Sequence, residues 1–271
     1  MTTDALAGLV VSITGAGQGI GRGIALAFAQ RGARLVVSDI DGAKADETAA
    51  LVRDAGAQAT ALRVDVRNAD DATAQVAAAV RDFGRLDVTI CNAGISQVKP
   101  LMDLAAADWE RMLGVNVTGS FLTLQAAARQ MLEQAPLAEG RPRGKILMLA
   151  SIAGRPGAGV AAPLLAHYRA SKAAVISLTQ TAAYTFAPKL TVNAMCPGLV
   201  ETDMWKQMDR EWTALQGLPE GEAWKARIAN VPMGRPQRAS DVADLALFLA
   251  SPASDYMTGQ SINIDGGLMM N

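Results

Sequence analysis

Short runs rich in Val, Ile, Leu and Thr alternate with longer Ala-rich stretches of helical period, and this alternation restricts the fold more than any other feature. The strand-like runs fall at residues 9–13, 34–38, 58–64, 88–91, 145–149, 191–195 and 261–264. Helical patterns occupy 19–30, 44–54, 69–83, 109–134, 167–186 and 240–249. Strands that are apolar almost throughout must be buried on both faces, and strands separated by helices need crossover connections. The expectation is an α/β fold with a doubly wound parallel sheet of about seven strands and helices on both faces.

No linker rich in Pro, Gly or Ser divides the chain, so residues 1–271 read as one domain. Half of the residues are hydrophobic and 19% are charged, which suits a large core. The 25 Lys and Arg balance 26 Asp and Glu without a long run of either sign, so no extended field attracts nucleic acid. No apolar stretch reaches the roughly 20 residues that span a bilayer, and the first residues lack the pattern of a signal peptide. The chain is therefore expected to be cytoplasmic, without membrane contact. Cys91 and Cys196 lie in apolar runs at a spacing that fits neither a disulfide framework nor a metal clip, so they read as buried thiols and no metal site is expected.

The first strand runs into Thr14-Gly15-Ala16-Gly17-Gln18-Gly19-Ile20-Gly21 and then an amphipathic helix. A pyrophosphate needs close backbone approach and the free N–H groups of a helix start, which larger side chains would block. Strand, glycine turn and helix in that order predict a dinucleotide-binding, Rossmann-type loop. Asp39 ends the second strand, where the adenosine ribose of such a ligand would lie. A carboxylate there accepts both ribose hydroxyls and repels a 2′-phosphate. No Arg or Lys stands at the Gln18 position or directly after Asp39, so the expected cofactor is NAD rather than NADP.

Farther along, Tyr168 and Lys172 stand four apart on a helical stretch and share one face. An ammonium beside a phenol stabilises the phenolate, and this pairing predicts a tyrosine tuned for proton transfer. Between residues 201 and 235 the rhythm breaks, with Trp205, Trp212 and Trp224 among charged residues. That segment leaves the end of the sixth strand, where ligands bind in open parallel sheets, and is expected to form a small substrate lid.

With the form Thr-Gly-x-x-x-Gly-x-Gly of its glycine loop, the chain resembles the short-chain dehydrogenase/reductase family over essentially its whole length. The resemblance implies that Gly15, Gln18, Gly19, Ile20 and Gly21 hold the cofactor phosphates and that Asp65-Val66 hold the adenine. Asn92-Ala93-Gly94 is similar to the family's Asn-Ala-Gly motif, with Cys91 where a further Asn often stands. Pro197-Gly198, Val200 and Thr202 look like the segment that faces the nicotinamide amide. Asn116, Ser151, Tyr168 and Lys172 match the family's catalytic four. By resemblance Tyr168 transfers the proton, Lys172 also bonds the nicotinamide ribose, Ser151 donates to the substrate oxygen, and Asn116 holds a water that links Lys172 to solvent.

Sixteen residues separate Ser151 from Tyr168, a few more than is usual in the family, and the extra length falls in residues 155–165. His167, the only histidine, precedes Tyr168 and is expected off its catalytic face as a structural or exposed residue. The segment Thr202-Asp203-Met204-Trp205, the stretch 251–260 and Asp265-Gly266-Gly267 look most like acetoin reductases, 2,3-butanediol dehydrogenases and sorbitol-type polyol dehydrogenases. This implies a small secondary alcohol or ketone as substrate: a vicinal diol, an acetoin-like hydroxyketone or a polyol. A 3-oxoacyl reductase of the same family is the alternative, and Asp39 argues against it because that role commonly goes with NADPH. A non-catalytic dinucleotide sensor or scaffold is the alternative from another class, and it would not need Tyr168 and Lys172. The family resemblance also implies a homotetramer joined through helices 109–134 and 167–186.

Overall fold

The computed structural model describes residues 3–155 and 162–270, so residues 156–161 of the long segment before Tyr168 lie outside the described residues. The chain alternates strand and helix: β1 (Val10–Ile13), α1 (Gly19–Ala29), β2 (Arg34–Asp39), α2 (Gly42–Asp54), β3 (Ala59–Arg63), α3 (Ala69–Phe83) and β4 (Val88–Cys91). After it come α4 (Ala106–Leu113), α5 (Ser120–Glu133), β5 (Gly144–Leu149), α6 (Ala166–Phe186), β6 (Leu190–Pro197), α7 (Asp203–Gln216), α8 (Glu222–Ile228), α9 (Ala239–Ala250) and β7 (Ser261–Ile264). The strands form one sheet in the order β3-β2-β1-β4-β5-β6-β7, and every pairing is parallel.

The expected doubly wound sheet of seven strands is thus present. Burial explains why these strands read as unbroken apolar runs: β1, β4, β5 and β6 are buried at every position. One core under α1 and α9 joins Ile24, Phe28, Val242 and Leu249 to β1 and β2, while the other face packs Val76, Leu124, Met131 and Val175 against β4, β5 and β6. The strand order reverses around β1, which has β2 on one side and β4 on the other. A crevice opens there beyond the carboxyl ends of the strands, where open α/β sheets bind ligands.

The pattern over 109–134 is not one helix. It divides into α4, a π-helical stretch Gly114–Gly119 and α5. A π turn adds one residue to a turn while the chain stays helical on both sides, which is why the sequence reads as continuous. The widened stretch carries Asn116, which is fully buried. At α2 the start expected at Lys44 comes earlier, because the Asp41 carboxylate accepts hydrogen bonds from the N–H groups of Ala43 (3.1 Å) and Lys44 (3.4 Å). Residues 201–235 fold largely into α7 and α8. Their buried residues Met208, Trp212 and Ala223 make a small separate core with Val98 and Leu165, against which Tyr168, Met204 and Trp205 also pack.

Candidate active site

The crevice beyond β1 and β4 is a cleft of about 340 Å³ lined by every residue expected to touch the dinucleotide, from Gly15 to Thr202. At its phosphate end the backbone leaves no room for side chains. A Cβ on Gly15 would lie 2.8 Å from the Cα of Ala93, and one on Gly21 would collide with the Gly15 carbonyl oxygen and lie 2.5 Å from Nδ2 of Asn92. Asn92 closes the fit by donating through Nδ2 to the carbonyls of Thr14 (2.8 Å) and Gly15 (2.9 Å). Helix α1 begins after Gln18 with no side-chain cap, so its first N–H groups remain available to an anion. These features fit a pyrophosphate.

The Asp39 carboxylate is held in place by the N–H groups of Gly17 (2.9 Å) and Asp41 (3.1 Å). Its remaining lone pairs can accept ribose hydroxyls. A cation does approach this end, which the local sequence around Asp39 did not reveal: Lys44 extends from α2, and its Nζ donates to Oε1 of Gln18 at 2.7 Å. Asp65 also borders the cleft, and Arg67 beside it holds its carboxyl below the usual carboxylate range.

At the other end β5, α6 and β6 bring Ser151, Tyr168, Lys172, Pro197 and Gly198 to the same cleft. Ser151 is nearly buried and caps a short 3-10 turn by accepting from the N–H of Ala153 at 3.1 Å. Lys172 lies one helical turn beyond Tyr168, with Nζ 5.8 Å from the tyrosine ring centre. Its ammonium points at the carbonyl of Leu149 (2.8 Å). Burial lowers the lysine from the usual 10.5 to about 8. Burial raises the Tyr168 phenol, and a hydrogen bond with Ser151 opposes the rise. Desolvation is the largest influence on both groups, and the Lys172 ammonium is engaged with the Leu149 carbonyl.

Asn116 does not line the cleft. Its Oδ1 accepts from the N–H of Ile95 (2.8 Å), and its Nδ2 donates to the carbonyl of Ile95 (3.0 Å) and Oγ of Ser171 (2.9 Å). It ties the segment after β4 to α6, one residue before Lys172. Oδ1 and the Lys172 ammonium both border the space beside Gly94, at 3.3 and 3.5 Å from where a Cβ on that glycine would lie. His167 is fully buried, its Nε2 is 3.1 Å from Oε1 of Gln97, and burial lowers its affinity for a proton, all in keeping with a structural residue.

One positioning residue escaped the sequence reading. Oε1 of Gln237 accepts from the N–H of Gly198 at 3.0 Å, while its backbone bonds Leu199 and Glu201. It thereby fixes the segment from Pro197 to Thr202 from thirty-nine residues away. No local period or motif signals such a long-range tie.

The buried Lys172 charge carries a consequence for stability. Its folded pKa of about 8 lies below the unfolded 10.5, so between those values the unfolded chain holds a proton that the folded chain has lost, and stability rises with pH. Below pH 8 both states are protonated and the full cost of burying the charge remains. Lys172→Met is expected to stabilise the cofactor-free protein at pH 7 by up to about 3 kcal/mol, with the gain shrinking above pH 8. Urea unfolding at pH 7 and pH 9.5 measures this, and a less stable variant at pH 7 would contradict it.

A glycine cradle, an uncapped helix start and a Ser, Tyr and Lys group in one crevice define a dinucleotide-binding protein of the oxidoreductase type. A family model described as enoyl-(acyl carrier protein) reductase matches residues 15–269. The chain belongs to the short-chain dehydrogenase/reductase family. It is 41% identical over 259 residues to a diacetyl reductase [(S)-acetoin forming] of Staphylococcus epidermidis, covering 95% of this chain and 97% of the relative. An L-2,3-butanediol dehydrogenase of Corynebacterium glutamicum is 39% identical, with 97% and 99% covered. A solved structure of NAD+-bound xylitol dehydrogenase superposes with a TM-score of 0.88 at 33% identity, covering 97% of this chain and 99% of that one.

Proposed function

We propose that this chain is an NAD(H)-dependent enzyme that interconverts a small secondary alcohol and its ketone, with a vicinal diol, an acetoin-like hydroxyketone or a polyol as substrate. The observation that carries this reading is the single cleft that holds Asp39 and the uncapped start of α1 at one end and Ser151, Tyr168 and Lys172 at the other. NAD(H), held by the glycine loop, Asp39, Asp65-Val66, Asn92, Gly94 and the segment 197–202, supplies or accepts the hydride.

In the reducing direction the Tyr168 hydroxyl delivers the proton to the carbonyl oxygen, and Ser151 donates a hydrogen bond to that oxygen as charge develops. Lys172, next to Tyr168, favours the phenolate left behind and replenishes its proton. Asn116 fixes the start of α6 and so the positions of both residues. The segment 201–235 closes over the substrate with Trp205 in the cleft wall, which excludes water from a ketone too small to orient itself. We take residues 1–271 as one domain working in the cytoplasm; two buried free cysteines suit a reducing compartment, and among the described residues no helix is long and apolar enough to cross a membrane.

The test is NADH oxidation with matched carbonyl compounds. Diacetyl, acetoin and keto sugars should be reduced with higher kcat/KM than a 3-oxoacyl thioester. Failure of all of them, or a clear preference for the thioester, would overturn the reading.

A homotetramer belongs to the same proposal. Trp109 on α4, Phe121 on α5 and Tyr184 on α6 are exposed, and the nearby Leu101 and Met102 are too, so these helices present apolar surface for another copy. Light scattering at micromolar concentration should give four chain masses, and a monomer would refute the assembly.

A further inference from the structure

In the lid, α8 carries a guanidinium that has no counter-charge among the described residues. Arg227 lies over the Trp212 ring, its Cζ 3.6 Å from the ring centre, and 5.9 Å from the centre of the Trp205 ring. Two tryptophans thus flank this cation, and the second of them, Trp205, packs in turn against Trp224 with ring centres 5.1 Å apart. Its Nε is buried without a hydrogen-bond partner, and among the described residues Arg227 forms no ion pair. The acids nearby are committed elsewhere. Asp209 accepts from the N–H groups of Gly221 and Trp224, Glu211 from the N–H of Val98 and from Gln207, Glu220 pairs with Arg210, and Glu222 pairs with Lys225.

A desolvated charge without a partner is costly, and contact with aromatic faces offsets only part of that cost. Consistent with this, burial lowers the Arg227 proton affinity and no neighbouring acid restores it. The planar fork of a guanidinium matches a carboxylate, phosphate or sulfonate, to which it can donate two parallel hydrogen bonds. Trp205 lines the catalytic cleft and is also a neighbour of Arg227. An anion seated on Arg227 would therefore lie beside a residue of the cleft wall.

We propose that Arg227 is a substrate-specificity residue and that the preferred substrate is a hydroxyketone or diol bearing a short anionic arm, whose charge completes the Trp205, Trp212 and Arg227 site. This rests on the carbonyl-reductase reading above and narrows its substrate class. Two matched pairs test it: acetoacetate against methyl acetoacetate, and dihydroxyacetone phosphate against dihydroxyacetone. In at least one pair the anionic member should have the higher kcat/KM by about tenfold or more, and Arg227→Met should bring that ratio down to about one. Arg227→Lys, which keeps the charge but loses the fork, should fall between. Preference for the neutral member in both pairs, or an unchanged ratio in Arg227→Met, would overturn the proposal.

A second measurement needs no turnover. Inorganic sulfate should change the tryptophan fluorescence of the wild-type protein in a saturable way, through the rings that flank Arg227, and should not do so in Arg227→Met. No saturable change in the wild type counts against the anion site. If sulfate binds while no carbonyl compound is reduced, the functional reading fails and the anion site stands.

Discussion

Tyr168→Phe should lower turnover by at least about a hundredfold and leave NADH binding nearly unchanged. The substitution removes one hydroxyl from a ring that packs against the lid core of Trp212, Met208 and Leu165, so the wall of the cleft survives. What disappears is the group that faces Ser151 and, in the proposed reaction, delivers the proton. Because burial raises the phenol, it remains protonated near neutrality and suits the acid role in reduction. The depressed Lys172 beside it, at about 8 before cofactor binds, is poised to exchange a proton with it. Steady-state kinetics with diacetyl, alongside NADH binding followed by fluorescence, separates the two effects. Retention of more than about a tenth of wild-type activity would remove Tyr168 from its role, since general acid catalysis is worth at least a hundredfold.

Asp39→Ala should shift cofactor preference by about a hundredfold toward NADPH. The wild-type carboxylate is fixed by Gly17 and Asp41, so it cannot swing away from a 2′-phosphate. Like charges about 4 Å apart at an effective dielectric near 20 repel by about 4 kcal/mol, which sets the scale before solvent screening reduces it. Removing the carboxylate also uncovers a cation. Lys44, bonded to Gln18 beside Gly17, would then meet the phosphate without competition. The ratio of kcat/KM for NADH and NADPH in both proteins measures the shift, and the double variant Asp39→Ala, Lys44→Met should lose most of the gain. Comparable efficiency with the two cofactors in the wild type would contradict the assignment.

The parts of this site that were readable from sequence are those encoded over a short span. The glycine loop is one, because strand, turn and helix start lie within twelve residues of each other between Val10 and Gly21. The Tyr168 and Lys172 pair is another, because one helical turn fixes their common face. The alternating period placed all seven strands, with ends that shifted by one or two residues wherever a cap or a neighbouring strand decided the limit. Asp41 moved the start of α2, and pairing with β5 and β7 extended β6 to Pro197.

What stayed hidden depends on contacts between distant segments. The π turn at Gly114–Gly119 lies inside a continuous helical stretch, yet it holds Asn116 against Ile95 and Ser171. Gln237 has no sequence signal, but it anchors Gly198. Lys44 meets Gln18 across two elements, and the isolation of Arg227 becomes evident only once the lid acids are seen bound elsewhere. The tuning of the catalytic pair also lay beyond a local reading. Charge proximity alone predicts a lowered phenol, whereas the folded cleft desolvates both groups and turns the ammonium toward Leu149.

In the proposed reaction Tyr168, Ser151 and Lys172 position a carbonyl carbon to receive hydride from NADH in the cleft above β1 and β4. NADH carrying deuterium at the transferable position of its nicotinamide ring, incubated with diacetyl and the wild-type protein, tests this most directly. The acetoin formed should be one mass unit heavier, with the deuterium on the carbinol carbon and one deuterium transferred per NADH consumed. Acetoin without deuterium on that carbon, or no acetoin from either stereospecifically labelled form of NADH, would contradict it.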